Sequence, residues 1–341
     1  MTKPSFQDFL PQGEEIQALQ AQINSGRMVH ALLITGESGT GKRTLARLLA
    51  AALLCHDKGN KPCGRCSGCL RAFDDEHPDL IRIEKGFPLT NDTRKSRATI
   101  PIDDIREMIR MSSAYPLEGG NRVILIANAE DMTPQAQNCL LKILEEPPAN
   151  NYFILTSGHP EQLLVTVRSR CRFLKMKPWD ERQIARILTE DGIDKEKALL
   201  AAGSCRGSIG YAKQLAADEN YWKTREDIIA SFFGTGERSQ ILAISTRWKD
   251  NKAEAERLFD IIEECVRSML DCRLRTQAEQ ADHRFGGLSA DWRRFAAEAD
   301  YEQFIRLLNS VSKARKQYEF NVSIQAIVEQ LLLSFIGEIK K

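Results

Sequence analysis

Gly36-Glu37-Ser38-Gly39-Thr40-Gly41-Lys42 follows the apolar run ALLIT (31–35) and leads into the helical pattern RTLARLLAAALL. Strand, glycine-rich turn and helix start form the setting in which a chain cradles phosphate. Glycines let backbone N–H groups turn inward, the helix dipole favours an anion, and the lysine reaches the terminal phosphates. Gly36, Gly39, Gly41 and Lys42 are therefore candidate ATP- or ADP-binding residues; the plainer alternative is a glycine-rich turn with no ligand. The next position departs from a working loop. A Ser or Thr there would hold magnesium, but the residue is Arg43. Thr44 comes one position later, turned by about 100° around the helix. Hydrolysing phosphate loops also end a core strand with a carboxylate. Here RVILIAN (122–128) ends in Ala127 and Asn128, with Glu130 and Asp131 beyond the strand that would aim them. These two losses predict little or no intrinsic ATP hydrolysis and leave nucleotide binding open.

Cys55, Cys63, Cys66 and Cys69 are spaced C-x7-C-x2-C-x2-C. Four thiolates brought together by such turns complete a closed tetrahedral shell, so the expectation is a structural Zn2+ site. Gly64 and Gly68 are expected to permit the turns. A redox dithiol needs only two cysteines. Lys58, Lys61 and Arg65 would allow nucleic-acid contact, but three basic residues also make an ordinary solvated surface. Cys139, Cys171, Cys205, Cys265 and Cys272 are scattered and read as small buried hydrophobes.

The elements around these residues follow from the pattern of apolar side chains. ALLIT, DLIRI (79–83), RVILIAN, YFILTS (152–157) and CRFLKM (171–176) are short continuous apolar runs, suited to strands of a parallel sheet covered on both faces. Ile102, Ile105, Met108 and Ile109 recur at helical spacing, and 133–145 reads as a helix stopped before Pro147-Pro148. Residues 84–99 are polar and aperiodic, hence a loop. From about 178 onward the pattern is helical: short helices at 180–191 and 195–216, then stripes at Leu258, Ile262, Cys265, Met269 and Cys272 and at Ile324, Ile327, Val328, Leu331, Leu332 and Phe335. The division expected is an α/β phosphate-loop domain over 1–167 with an inserted zinc module at 55–69, a small helical lid over 168–217, and an all-helical domain over 218–341. The chain has 341 residues, 48 basic against 47 acidic, for a net charge of +1. Such a balance favours a protein partner or a small ligand over a long phosphate track. With no long apolar run and an acidic, polar start, no membrane association and a reducing, cytoplasmic setting are expected.

Several of these segments together resemble a known family. Val123 to Pro148, ending in LLKILEEPP, the Ser-Arg-Cys of Val167-Arg168-Ser169-Arg170-Cys171, HALLITG before the phosphate loop, His77-Pro78-Asp79 and the cysteine cluster are similar to the AAA+ subunits of bacterial sliding-clamp loaders. The resemblance covers most of residues 28–215; beyond that only helical periodicity carries it. In that family the ATP-hydrolysing gamma/tau motor subunits keep the Ser/Thr and the acidic strand end. Delta-prime subunits of DNA polymerase III tend to lose both, so this chain resembles the delta-prime branch more closely.

The resemblance implies an AAA+ domain, a helical lid and a helical collar within a hetero-oligomer. Its partners would be the gamma/tau motor subunits and the delta subunit, with the beta sliding clamp and primer–template DNA met through the assembly. The whole would belong to a DNA-directed DNA polymerase holoenzyme in DNA replication. It further implies that Arg170 is an arginine finger reaching a neighbour's nucleotide, a contribution worth about 10³–10⁵ in rate where it occurs. The plainer reading is that Arg168, Arg170 and Arg172 form solvated ion pairs along a strand edge. Arg206 resembles the family's second-domain nucleotide sensor, or a vestige of it, and Thr156 and Ser157 lie where its first sensor sits. Two other readings stay open: an ATP-hydrolysing motor subunit with an atypical magnesium site, and a zinc-dependent DNA-binding protein.

Overall fold

The computed structural model describes residues 4–87, 89, 98–118, 120–234, 240–248, 254–274 and 289–340. Most of the loop expected at 84–99 therefore lies outside the described residues, as does the side chain of Cys272. Two compact units emerge, one of residues 1–184 with 205–211, the other of 185–204 with 212–341.

The first unit is built on five parallel strands: β1 (Ala31–Thr35), β2 (Leu80–Ile83), β3 (Arg122–Ile126), β4 (Asn151–Ser157) and β5 (Arg172–Lys175). Their order is β2-β3-β4-β1-β5. β5 pairs in parallel with β1, Leu32 opposite Arg172 and Thr35 opposite Lys175, so the sheet continues past the boundary expected at 167. Every residue of β1 and β3 is buried, which explains why these runs do not alternate. On one face, Leu33, Ile124, Ile126, Phe153 and Leu155 pack with Ile105 and Met108 of α4 (Ile102–Ser112) and Leu140 and Ile143 of α5 (Pro134–Glu145). The period-two alternation turns Leu32, Ile34, Val123 and Leu125 to the other face, where α2 (Lys42–Leu53) lies against the strands. Before these come α1 (Glu14–Asn24), and between α2 and β2 the short α3 (Ser67–Phe73). α6 (Val165–Arg168) leads into β5; α7 (Glu181–Glu190), which follows it, starts in this unit and has its larger part in the second.

The second unit is helical among the described residues. It holds α8 (Lys195–Ser204), most of α9 (Ile209–Ala217), α10 (Glu219–Ile228), α11 (Ile241–Arg247), α12 (Ala255–Leu274), α13 (Ala290–Glu298), α14 (Tyr301–Glu319) and α15 (Ile324–Ile339). Its core centres on Trp292, whose ring lies 4.8 Å from Phe233 and 5.3 Å from Phe295. The indole N–H donates to the Phe232 carbonyl at 3.1 Å, so the buried polar atom is satisfied. The stripes expected on α12 and α15 face inward: Leu258, Ile262, Cys265 and Met269 are buried, as are Ile324, Ile327, Val328, Leu331, Leu332 and Phe335. The α/β class with a helical C-terminal region is thus the class expected.

Candidate functional site

The phosphate loop joins the C-terminal end of β1 to α2. Gly36, Gly39 and Gly41 have φ of 147°, 75° and 94°, values that side chains with a Cβ rarely adopt. Lys42 is buried, and its ammonium donates to the Gly36 and Glu37 carbonyls at 2.8 and 2.7 Å. Burial pulls its pKa below the usual lysine value, against the opposing charges of Glu130 and Glu37. The loop is also packed by its own chain. The Trp179 indole donates to the Thr40 carbonyl at 2.8 Å, and the Gly210 N–H to the Gly39 carbonyl at 2.9 Å. A Cβ on Gly39 would stand 1.9 Å from the Ser208 hydroxyl oxygen. Arg206 belongs to this same segment, exposed and at φ 48°. Trp179 and Ser208 were not singled out from the sequence, because nothing in the spacing of residues 139 and 169 positions away marks them as neighbours of the loop.

The positions that would handle a metal are otherwise engaged. Arg43 is exposed and paired with Glu84, which also pairs with Arg82. Thr44 is exposed. Ala127 is buried, and Asn128 adopts a left-handed φ of 48° while its N–H donates to the Thr156 hydroxyl at 3.0 Å. Glu130 turns to β4, accepting the Gly158 N–H at 2.7 Å. Asp131 faces Lys85 at 4.0 Å, and burial lifts its pKa. Thr156 and Ser157 are buried at the end of β4, beside the loop as the register Thr35–Ser157 requires.

Arg170 lies elsewhere. Because β1 and β5 are parallel neighbours, a residue just before β5 sits at the opposite end of the strands from one just after β1. With Arg172 opposite Leu32, the rise from that level to Gly36 is about 13 Å along the strands. The Arg170 guanidinium donates through Nε to Glu145 Oε1 at 2.8 Å and through Nη1 to the Thr166 carbonyl at 2.8 Å; Nη2 also pairs with Glu145. An ion pair is what the plainer reading of the arginines anticipates. Of the three, though, only Arg172 is on a strand, and it donates to Gln22 at 3.1 Å.

The four cysteines converge between α2 and α3. Their sulfurs all lie within 4.8 Å of one another, with Cys55–Cys66 and Cys63–Cys69 at 4.0 Å. A tetrahedral shell with 2.3 Å metal–sulfur bonds needs sulfurs about 3.8 Å apart, so the set can hold a metal ion. Backbone N–H groups of Cys63, Cys66 and Cys69 each point at a cysteine sulfur at 3.4 Å. N–H groups of Arg65, then Cys66, draw the Cys63 thiol down to about 6, towards the thiolate a metal requires, while burial pushes Cys69 up. Gly64, at φ 70°, supplies the turn expected of it. Gly68 matters for another reason, since a Cβ there would sit 2.3 Å from the Leu54 carbonyl oxygen. Of the scattered cysteines, Cys171, Cys205 and Cys265 are buried and Cys139 half-buried.

A second cluster lies beside the first. His56, His77 and Glu118 bring ring nitrogens and a carboxylate within 4.8 Å of one another. The Asp79 N–H donates to His77 Nδ1 at 3.0 Å, so the neutral ring carries its proton on Nε2, facing Glu118 at 3.4 Å. That tautomer leaves Nε2 without the lone pair a metal needs. The cluster reads as a brace, with Arg71 holding Glu118 at 2.6 and 2.8 Å.

The family model described as DNA polymerase III, delta subunit, matches residues 11–180. The DNA polymerase III subunit delta' of Escherichia coli (strain K12) is 35% identical over 63% of this chain, and the match spans 62% of that relative's own length. The subunit delta' of Bacillus subtilis (strain 168) is 26% identical over 93% of this chain and 94% of its own. That of Yersinia pestis is 30% identical over 70% of each.

Proposed function

This chain belongs to the DNA polymerase III delta-prime family, and from that premise we propose that it is the non-motor subunit of a clamp loader, lending Arg170 to the nucleotide site of a neighbouring motor subunit. The observation that carries the reading is the separation of Arg170 from the chain's own phosphate loop by the length of the sheet. An arginine at that end of the strands cannot serve the loop of its own chain; it can serve one presented by another. There it would neutralise charge on the transferring phosphoryl group.

The lost half of the machinery supports the same division of labour. Arg43 stands where magnesium would be held, Ala127 and Asn128 end the strand that should carry the carboxylate, and Lys42 spends its donors on the loop's own carbonyls. Intrinsic turnover is not expected, although the glycine conformations keep the cradle for a phosphate. The partners would be gamma/tau motor subunits and a delta subunit, with the beta clamp and primer–template DNA engaged through the hetero-oligomer. The helices from 218 onward would join the collar, the short helices that follow β5, α7 to α9, would form the lid, and Arg206 would stand as the remnant of a nucleotide sensor. Cys55, Cys63, Cys66 and Cys69 would hold a structural Zn2+, which fixes the excursion between α2 and α3 and takes no part in the reaction.

ATP hydrolysis by the reconstituted loader, with clamp and primed DNA, tests the reading. The lone chain should be inert, and Arg170→Ala should slow the assembly by at least about 100-fold at the site it completes, without dissociating it. Turnover by the lone chain that Lys42→Ala abolishes would make this chain a motor and overturn the proposal.

A further inference from the structure

We propose that Glu145 is the positioning residue for Arg170, gripping the guanidinium from one side so that the remaining N–H groups are ready for a phosphate in trans. The inference rests on the reading of Arg170 given above. Both residues stand on firmly seated backbone. Glu145 is the last residue of α5, preceded by the buried Ile143 and Leu144 and followed, after Glu146, by Pro147-Pro148. Arg170 is flanked by the buried Val167 and Cys171. The two anchors belong to one core cluster, so the pair joins elements that pack on the same core.

A guanidinium carries five N–H donors in one plane. Nε and Nη2 are given to Glu145 and one N–H of Nη1 to the Thr166 carbonyl. Among the described residues, no acceptor is engaged by the second N–H of Nη1 or of Nη2, and a phosphate takes such N–H groups from an arginine fork. The side chain is partly exposed, 29%. An unheld arginine samples many rotamers, and ordering it at the moment of docking would weaken the contact it makes. Glu145 removes that freedom in advance. The site suits the pair for a further reason: the C-terminal end of α5 carries partial negative charge, which disfavours a lone carboxylate and favours a cation beside it. Sequence separation is 25 residues, which is why the LLKILEEPP segment by itself did not disclose the role.

The test is steady-state ATP hydrolysis by the complete loader containing this chain as wild type, Glu145→Ala, Glu145→Gln, Arg170→Ala and the double variant. Misplacing a reacting group by about 1 Å can cost about 100-fold, so Glu145→Ala should lower kcat by about 10- to 100-fold. The concentration of this chain that half-saturates the assembly should stay unchanged. Glu145→Gln, which keeps an oxygen for Nε–H, should lose less, and the double variant should be no slower than Arg170→Ala. Wild-type or faster turnover in Glu145→Ala, alongside a slow Arg170→Ala, would overturn the positioning role and leave the in-trans reading intact. So would losses that multiply in the double variant, or a change confined to half-saturation, since either marks a merely structural effect. If Arg170→Ala itself turns over like wild type, the in-trans reading fails and the role of Glu145 falls with it.

Discussion

Asp79 shows how a residue that marks a family can owe its place to folding. Its carboxylate, 1% exposed, accepts the Leu117 and Glu118 N–H groups at 2.7 and 3.0 Å and meets Arg122 at 3.2 Å. Arg122 in turn caps the carbonyls of Ala114 at 2.6 Å and Tyr115 at 3.0 Å. One buried pair thus fixes the connection from α4 to β3. Asp79→Ala would leave a guanidinium buried and unpaired, a change that costs about 3–5 kcal/mol. The unfolding midpoint in urea checks this; a loss below about 1 kcal/mol would mean that water or a rearranged loop replaces the carboxylate. At this scale the sequence was readable wherever a residue's own backbone sets the need, as for Gly36, Gly39 and Gly41, whose positive φ values only glycine adopts freely. It was unreadable wherever the need arises from a distant contact. Gly68 is required by Leu54, and Glu145 gains its meaning from Arg170.

Among the elements, the five strands fall within a few residues of the apolar runs that announced them; β1 and β3, buried on both faces, have no reason to alternate, whereas β5, expected to be covered like the rest, buries only Leu174. Their order was not legible. Nothing in ALLIT or CRFLKM says that β1 and β5 are neighbours, and from that pairing follows the end of the strands at which Arg170 lies. The cysteine module is the reverse case, since its spacing already specified a four-sulfur shell. Elemental analysis should find one zinc ion per chain. Cys66→Ser should remove one ligand and also the sulfur that caps α3, to which the Cys69 N–H donates at 3.4 Å. Lower zinc content and a thermal midpoint reduced by several degrees are expected, roughly the response to 1–2 kcal/mol. Full zinc content in that variant would point to a ligand outside the four.

At the scale of the whole molecule there are two compact units, and the helical one buries an ionisable group that links its stability to pH. In the helical unit, Glu264 of α12 is buried and accepts from the Tyr221 hydroxyl at 3.2 Å and from Ser204, with Arg225 at 3.9 Å. Burial raises its pKa above the usual carboxylate value, against the pull of Arg225 and the two hydroxyls. The folded unit therefore binds this proton more tightly than the unfolded chain does. The resulting stability is full below the ordinary carboxylate range and is lost as pH climbs through the raised value. Unfolding followed by tryptophan fluorescence should show the helical unit losing stability as pH rises above the ordinary carboxylate range, and Glu264→Gln should flatten that slope. An unchanged slope in the variant would assign the dependence to other groups.

Parallel strands also give the first unit a direction. Its phosphate loop lies at the C-terminal ends of the strands and Arg170 at the N-terminal ends, so the proposed contact, which joins one end to the other end of a neighbour, would be heterologous, head to tail. In such a row each member offers one kind of service forward and receives it from behind. A member whose receiving end has lost its metal-handling residues can give without needing to be given to. On the proposed role its consistent address would be the terminal position, from which the service starts, and a second copy inserted further along would interrupt the relay.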